Sequence, residues 1–125
     1  MAEANIVAVT SIYGYTKTYA ITTAGVVVAN NTASSNKLYK INLLSISNVD
    51  GVNDATVTVQ IRTAVASSPV ARHLVKTVTV PADSTLIVID KNTSLYLEED
   101  MDIKVLASAA GDLEAICSYD VIDDA

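Results

Sequence analysis

Nucleophilic and general-base chemistry draws most often on histidine and cysteine, and this chain of 125 residues has one of each, His73 and Cys117. A working nucleophile needs a base within hydrogen-bond reach and a third group that orients the base. His73 sits in Val70-Ala71-Arg72-His73-Leu74-Val75, a plain strand-like run in which alternation puts it on the face of Val75 and Thr77. That context makes it a structural or interface histidine. Cys117 is in phase with Leu113, Ala115, Tyr119 and Val121, so its thiol is expected to point into a core and behave as a small inert hydrophobe. No catalytic set emerges, and the chain reads as a non-enzyme that needs no cofactor.

Carboxylates offer the next chemistry. Glu98-Glu99-Asp100 with Asp102 would suit a paired-carboxylate hydrolase, yet such acids face each other across a cleft, and the chain has no Trp or Phe to line one. A hairpin connection accounts for the cluster better. Asn48-Val49-Asp50-Gly51-Val52-Asn53-Asp54 has the oxygen spacing and turn glycine of half a calcium loop. It lacks the bidentate Glu that closes one, since Val57, Thr58 and Val59 occupy the last places. Asp50, Asn53 and Asp54 are therefore a weak calcium candidate beside a simpler reading as a turn. With only four glycines there is no phosphate-cradling loop, and zinc spacing is missing.

Tyrosine is the one aromatic resource: three of the six, Tyr13, Tyr15 and Tyr19, lie close together at odd positions. Such a row could anchor a protein interface, because the ring buries area while its hydroxyl stays hydrated. It could equally be a partly buried sheet surface, with Thr16, Thr18, Thr22 and Thr23 exposed beside it, and a sugar platform is the remaining alternative.

The elements that must position these residues are strands. Val, Ile and Thr account for 41 of the 125 residues, and β-branched side chains crowd a helix but suit a pleated surface. Val57, Val59 and Ile61 alternate with Thr56, Thr58, Gln60 and Arg62, the period of a strand with one wet face. Between Lys37 and Asn48 the pattern Tyr39, Ile41, Leu43 changes phase to Leu44, Ile46, which predicts a bulge near Leu43. Further strands are expected at about Ile6–Ser11, Tyr15–Thr22, Val26–Asn30, Val70–Val80, Thr85–Asp90, Ser94–Glu98, Asp102–Ser108 and Leu113–Val121, separated by turn-forming residues such as Asp50-Gly51, Ser67-Ser68-Pro69 and Gly111-Asp112. The expected fold is all-β: a jelly-roll-like antiparallel β-sandwich of about eight to ten strands, with residues 1–125 as one domain.

A net charge of −6 argues against a nucleic-acid partner, which needs clustered Lys and Arg. No apolar run approaches the roughly 20 residues that span a bilayer, and no charged start followed by an apolar stretch marks a secretion signal. Synthesis in the cytosol and no membrane contact are expected. The charged fraction is 18% against a usual quarter, and the mean hydropathy of +0.36 is high; both point to surface meant to be covered. Residues 1–82 hold six bases and three acids, whereas residues 83–125 hold eleven acids and two lysines. If these parts formed different faces, one copy could meet another through opposite charge; the alternative is two solvated faces.

The segment from Val80 through Pro81-Ala82-Asp83-Ser84, the apolar Leu86-Ile87-Val88-Ile89, Tyr96-Leu97-Glu98-Glu99-Asp100-Met101-Asp102 and Val105, with Ala107-Ser108-Ala109 and Ser118-Tyr119 after it, resembles small virion structural proteins of tailed, especially marine, bacteriophages. Asp100-Met101 stands where that pattern has Gly-Asp. The resemblance covers about residues 37–121. It implies a β-sandwich that decorates or cements a capsid, or serves as a tail or neck accessory, made in the host cytoplasm and located in the virion. Its implied partners are other copies of itself and virion proteins such as the major capsid or tail proteins. The interface candidates are then Tyr13, Tyr15, Tyr19, Glu98, Glu99 and Asp100. The alternative function is a carbohydrate-binding module of a phage fibre or adhesin, built on the three tyrosines with calcium at Asp50, Asn53 and Asp54.

Overall fold

The structure, a computed structural model, describes Val7 and residues 9–123. Among these residues run nine strands: β1 (Ser11–Ala20), β2 (Val26–Asn31), β3 (Lys37–Asn48), β4 (Ala55–Thr63), β5 (Val70–Val80), β6 (Thr85–Ile89), β7 (Leu95–Leu97), β8 (Met101–Ala107) and β9 (Leu113–Asp123). One sheet has the order β1-β9-β3-β6, with β7 also on β3; the other has the order β2-β8-β4-β5. β7 pairs with Tyr39–Ile41 and β6 with Leu44–Ser47, so the two share one flank of β3 as a single interrupted strand position.

The pairing is nested. β1 meets β9, β2 meets β8, β3 meets β6 and β7, and β4 meets β5, all antiparallel. The chain is thus one long hairpin with its tip at the β4–β5 turn, wound so that β9 also pairs with β3 and β8 with β4. That winding is a jelly roll.

Alternation supplies the two inner faces. Ala55, Val57 and Val59 of β4 and Leu113, Ala115, Cys117, Tyr119 and Val121 of β9 are buried in one cluster with Val28, Ile41, Leu44, Ile46, Ile89, Leu97, Ile103 and Val105. Each fully buried branched aliphatic side chain contributes about 1.5–3 kcal/mol. The bulge expected near Leu43 is present: the β3–β9 register slips between Ile41 and Leu43, so Asn42 is extra and both Ile41 and Leu44 reach the core. Buried asparagines fasten both ends of the sandwich. Asn31 Nδ2 donates to the Lys37 and Leu97 carbonyls at 2.8 and 3.0 Å, and Asn48 Nδ2 donates to those of Asn53 and Val80, both at 2.9 Å.

Three expectations need correction. The Tyr15–Thr22 strand begins earlier and ends sooner, at Ser11 and Ala20, because Gly14 continues the strand instead of breaking it; of the expected Ile6–Ser11 strand, Ile6 and Ala8 lie outside the described residues. His73 does not share a face with Val75. The β4–β5 register slips twice, so His73 pairs with Gln60 while Val75 pairs with the buried Val59, and neighbouring residues of β4 point to opposite faces. Nor do the two parts of the chain form separate faces, since each sheet contains early strands with a late strand between two of them.

Candidate functional site

Cross-strand partners point to the same side of a sheet, which turns the β1 register into a map. Tyr13, Tyr15, Lys17 and Tyr19 stand opposite Val121, Tyr119, Cys117 and Ala115 of β9, and those stand opposite Tyr39, Ile41, Leu44 and Ile46 of β3. The tyrosines named from the sequence therefore lie on the inner face of the sheet, at its edge. Tyr119 stacks on Tyr39 with ring centroids 5.3 Å apart and planes 16° apart. Tyr15 follows at 5.8 Å from Tyr119 with a 35° tilt, and Lys17 Nζ lies 5.1 Å from the Tyr15 centroid, within reach of a cation–π attraction.

This row runs from core to solvent. Tyr119 is 8% exposed, Tyr15 41% and Tyr13 51%. Burial, with the neighbouring Tyr19, Tyr39, Cys117 and Tyr15, pushes the Tyr119 hydroxyl up to about 12, and burial raises those of Tyr39 and Tyr19. Neutral rings with hydroxyl donors are what the site offers. Sequence reasoning found the β1 members but missed Tyr39 and Tyr119, which join only through strand pairing; the phase shared by Tyr119 and Cys117 was the one available signal.

The outer face of the same sheet is the second surface. Ile12, Gly14, Thr16, Thr18 and Ala20 of β1 oppose Ile122, Asp120, Ser118, Ile116 and Glu114 of β9, and beyond them come Leu38, Lys40, Leu43, Ser45 and Ser47 of β3. Ile12, Ile87, Ile116 and Tyr96 are each 40–59% exposed. Small hydroxyls tie the strands together, Thr16 Oγ1 to Ser118 Oγ at 3.2 Å and Ser47 Oγ to Thr85 Oγ1 at 2.9 Å. A shallow pocket of about 280 Å³ opens between Thr18, Ala20, Ser47, Glu114 and Ile116. The face is low in charge and partly apolar, a surface suited to contact with protein.

The acidic candidates form turns. Glu98 is exposed, and Glu99 Oε2 accepts the Asn36 N–H at 3.1 Å. Asp100 has φ 64°, donates its N–H to the Asn31 carbonyl at 2.8 Å and accepts the Ala66 N–H on Oδ1 at 2.8 Å. It holds the left-handed position that a glycine would otherwise take, which aspartate tolerates. Next to it, Asp102 is buried and makes a two-pronged pair with the Arg62 Nε and Nη2 atoms at 2.7 and 2.5 Å. The sequence had linked Asp102 to the turn acids; the structure commits it to Arg62.

At the opposite end, Asp50 Oδ1 accepts the N–H groups of Val52 and Asn53 at 2.8 and 3.1 Å, and Oδ2 accepts Asn53 Nδ2 at 3.1 Å. The two backbone bonds are the main causes that hold the Asp50 carboxyl below the usual range. Asp54 Oδ1 accepts the Ala82 N–H at 3.0 Å. Asp50 and Asp54 thus turn carboxylate oxygens to amides, Asn53 supplies amide donors, and among the described residues no three acids, His or Cys are placed to hold a metal. His73 is exposed with Gln60 Nε2 at 3.4 Å. Cys117 is wholly buried, which pushes its thiol up to about 12.

No family model matches the chain, and none of the curated proteins matches it in sequence. Among solved structures, a subunit of Bacillus endospore appendages, described as disulfide-linked pili, is similar with a TM-score of 0.51 and 12% identity over 92% of this chain and 88% of that one. Particles of infectious bursal disease virus give a TM-score of 0.47 at 12% identity and, for the Gx strain, 0.45 at 14%. This chain spans about a third of the length of those virus chains, 31% and 33%. The likeness to the pilus subunit is one of fold.

Proposed function

We propose that the chain is a non-enzymatic structural subunit, a single β-sandwich domain over residues 1–125 that works by being covered by its neighbours in a many-copy assembly. The observation that carries this reading is the outer face of the β1-β9-β3-β6 sheet: it exposes Ile12, Ile87, Tyr96 and Ile116 with only Lys40, Asp120 and Glu114 as charges in the paired rows of β1, β9 and β3. Exposed apolar side chains spread over one sheet face of low charge suit an interaction site. The resemblance of residues 37–121 to virion proteins of tailed phages supports the finer assignment, a capsid decoration subunit or a tail accessory in the virion.

The test is quantitative mass spectrometry of purified virions from a host culture that produces the chain. A fixed, high copy number relative to the major capsid protein is expected. Purified particles lacking the chain would overturn the assignment. A glycan array run in parallel decides against the carbohydrate alternative when wild type and Tyr15→Ala bind equally little sugar.

A further inference from the structure

We propose that β1 is a self-association edge: two copies pair their β1 strands antiparallel about a two-fold axis at Tyr15, joining two β1-β9-β3-β6 sheets into one continuous sheet. The inference rests on the assembly reading above and names the partner, a second copy of this chain.

Unpaired strand edges are templates for further strands, and proteins guard them with bulges, charges and interruptions. Three of the four edges here are guarded. β5 slips register twice against β4, holds Thr77 at φ 50° and carries Arg72, His73 and Lys76 with no acid. β2 is six residues long and slips between Val27 and Ala29. The flank made by β6 and β7 is interrupted by the Asp90–Ser94 turn. β1 differs: its ten residues pair with β9 without a single slip, and Lys17 is its only charge. Among the described residues no strand lies on its other side.

The ladder shows which groups are on offer. The Ile21 N–H donates to the Leu113 carbonyl at 2.9 Å in the β1–β9 register. Backbone groups in an antiparallel pair alternate between partner and open side, so the odd residues of β1 bond to β9. The N–H and C=O groups of Ile12, Gly14, Thr16, Thr18 and Ala20 therefore face outward. With the axis at Tyr15, Gly14 meets Thr16 of the second copy and Ile12 meets Thr18, uncharged on both sides. On the tyrosine face, Tyr15 meets its own copy and Lys17 meets Tyr13. That places each cation over the electron-rich face of a ring, as Lys17 already lies 5.1 Å from Tyr15 within its own chain, and it keeps the two Lys17 side chains apart. In a chain of net charge −6, this edge brings no acid against acid.

The pairing is tested by analytical ultracentrifugation of the full chain. Wild type is expected to sediment as a dimer at about 100 µM. Tyr13→Lys puts a lysine opposite Lys17 of the second copy at an exposed position, and should weaken the dimer about tenfold or more at low salt. Near 1 M salt, where the screening length is about 3 Å, the dimer should recover. Thr16→Pro removes an outward N–H and caps the edge, so a folded monomer is expected. Oxidised Tyr15→Cys should form a covalent dimer, whereas Leu74→Cys on β5 should not. A monomeric wild type, or dimers as tight in both Tyr13→Lys and Thr16→Pro as in wild type, would overturn the β1 pairing. The assembly reading would stand or fall separately, on the virion content.

Discussion

At Asn48 one buried amide serves three partners. It donates to the Asn53 and Val80 carbonyls and accepts the Asp50 N–H at 3.0 Å. Removing it strands polar groups away from water, each costing about 1–3 kcal/mol. Asn48→Ala should therefore lower stability by about 2–3 kcal/mol, read from the urea midpoint, while Asn92→Ala, in an exposed turn, should change it little. Tyr119 gives a pH signature. Its hydroxyl is pushed up to about 12 in the fold from an ordinary value near 10, so the folded state prefers the neutral ring. Its contribution is complete below pH 10 and is lost as pH rises through about 12. Urea midpoints across that window should fall, and less steeply in Tyr119→Phe; Cys117, also pushed to about 12, supplies part of the remaining slope. These roles were half legible. Alternation with Leu113 and Ala115 gave away the buried Cys117, but nothing local to Asn48 shows that its amide reaches Val80, 32 residues away.

Strands were more readable than their exact limits. The bulge of β3 was legible between Lys37 and Asn48, because a phase slip in an apolar pattern has no other simple cause than an extra residue. Leu43, however, expected in phase with Tyr39 and Ile41, lies past the slip and faces outward opposite Ser118. β5 carried the same kind of signal, since Val75 and Val78 are an odd number of residues apart, yet continuous Val and Thr concealed it. The slip is centred where Thr77 has φ 50°, a strained position for a β-branched side chain. Thr77→Gly should raise the melting stability by up to about 1 kcal/mol through relief of that strain, offset in part by the entropy of glycine. In β4, Val59 is wholly buried between Val75 and Val105. Val59→Asp should abolish soluble expression. Cys117→Ser, which buries a hydroxyl without changing shape, should remain soluble at a cost of about 1–3 kcal/mol; equal solubility of the two variants would refute the packing described here.

The order of the strands could not be read at all, because periodicity reports which face a residue takes and says nothing of its neighbour across the ladder. That limit also misled the charge reading: the late strands β8 and β9, of which β9 carries Glu114, Asp120 and Asp123, are inserted between early strands, so the imbalance along the chain does not become two faces. What replaces it is a contrast between the loops at one end and the β5 edge. The loops at the Asn48 end carry Asp50, Asp54, Asp83 and Asp112, whereas the basic residues Arg72 and Lys76 sit along β5. Pairings such as Thr16 with Ser118, 102 residues apart, give the fold a high contact order, and folding on the ms–s scale is expected by stopped flow. A chain ending before Leu113 should show no cooperative unfolding, since β9 is the strand that both β1 and β3 pair with.

Ser11 and Asp123 are partners in one ladder, so the polypeptide enters and leaves the sandwich at the same place. A reporter peptide joined directly before Ser11 or directly after Asp123 would project from that pole, leaving the aspartate-rich loops at the other untouched. The same neighbourhood permits rewiring: a short bridge from Asp123 to Ser11, with a new opening cut in the Ala109–Gly111 turn, would preserve every strand pair while moving the start of the chain to the far side of the molecule.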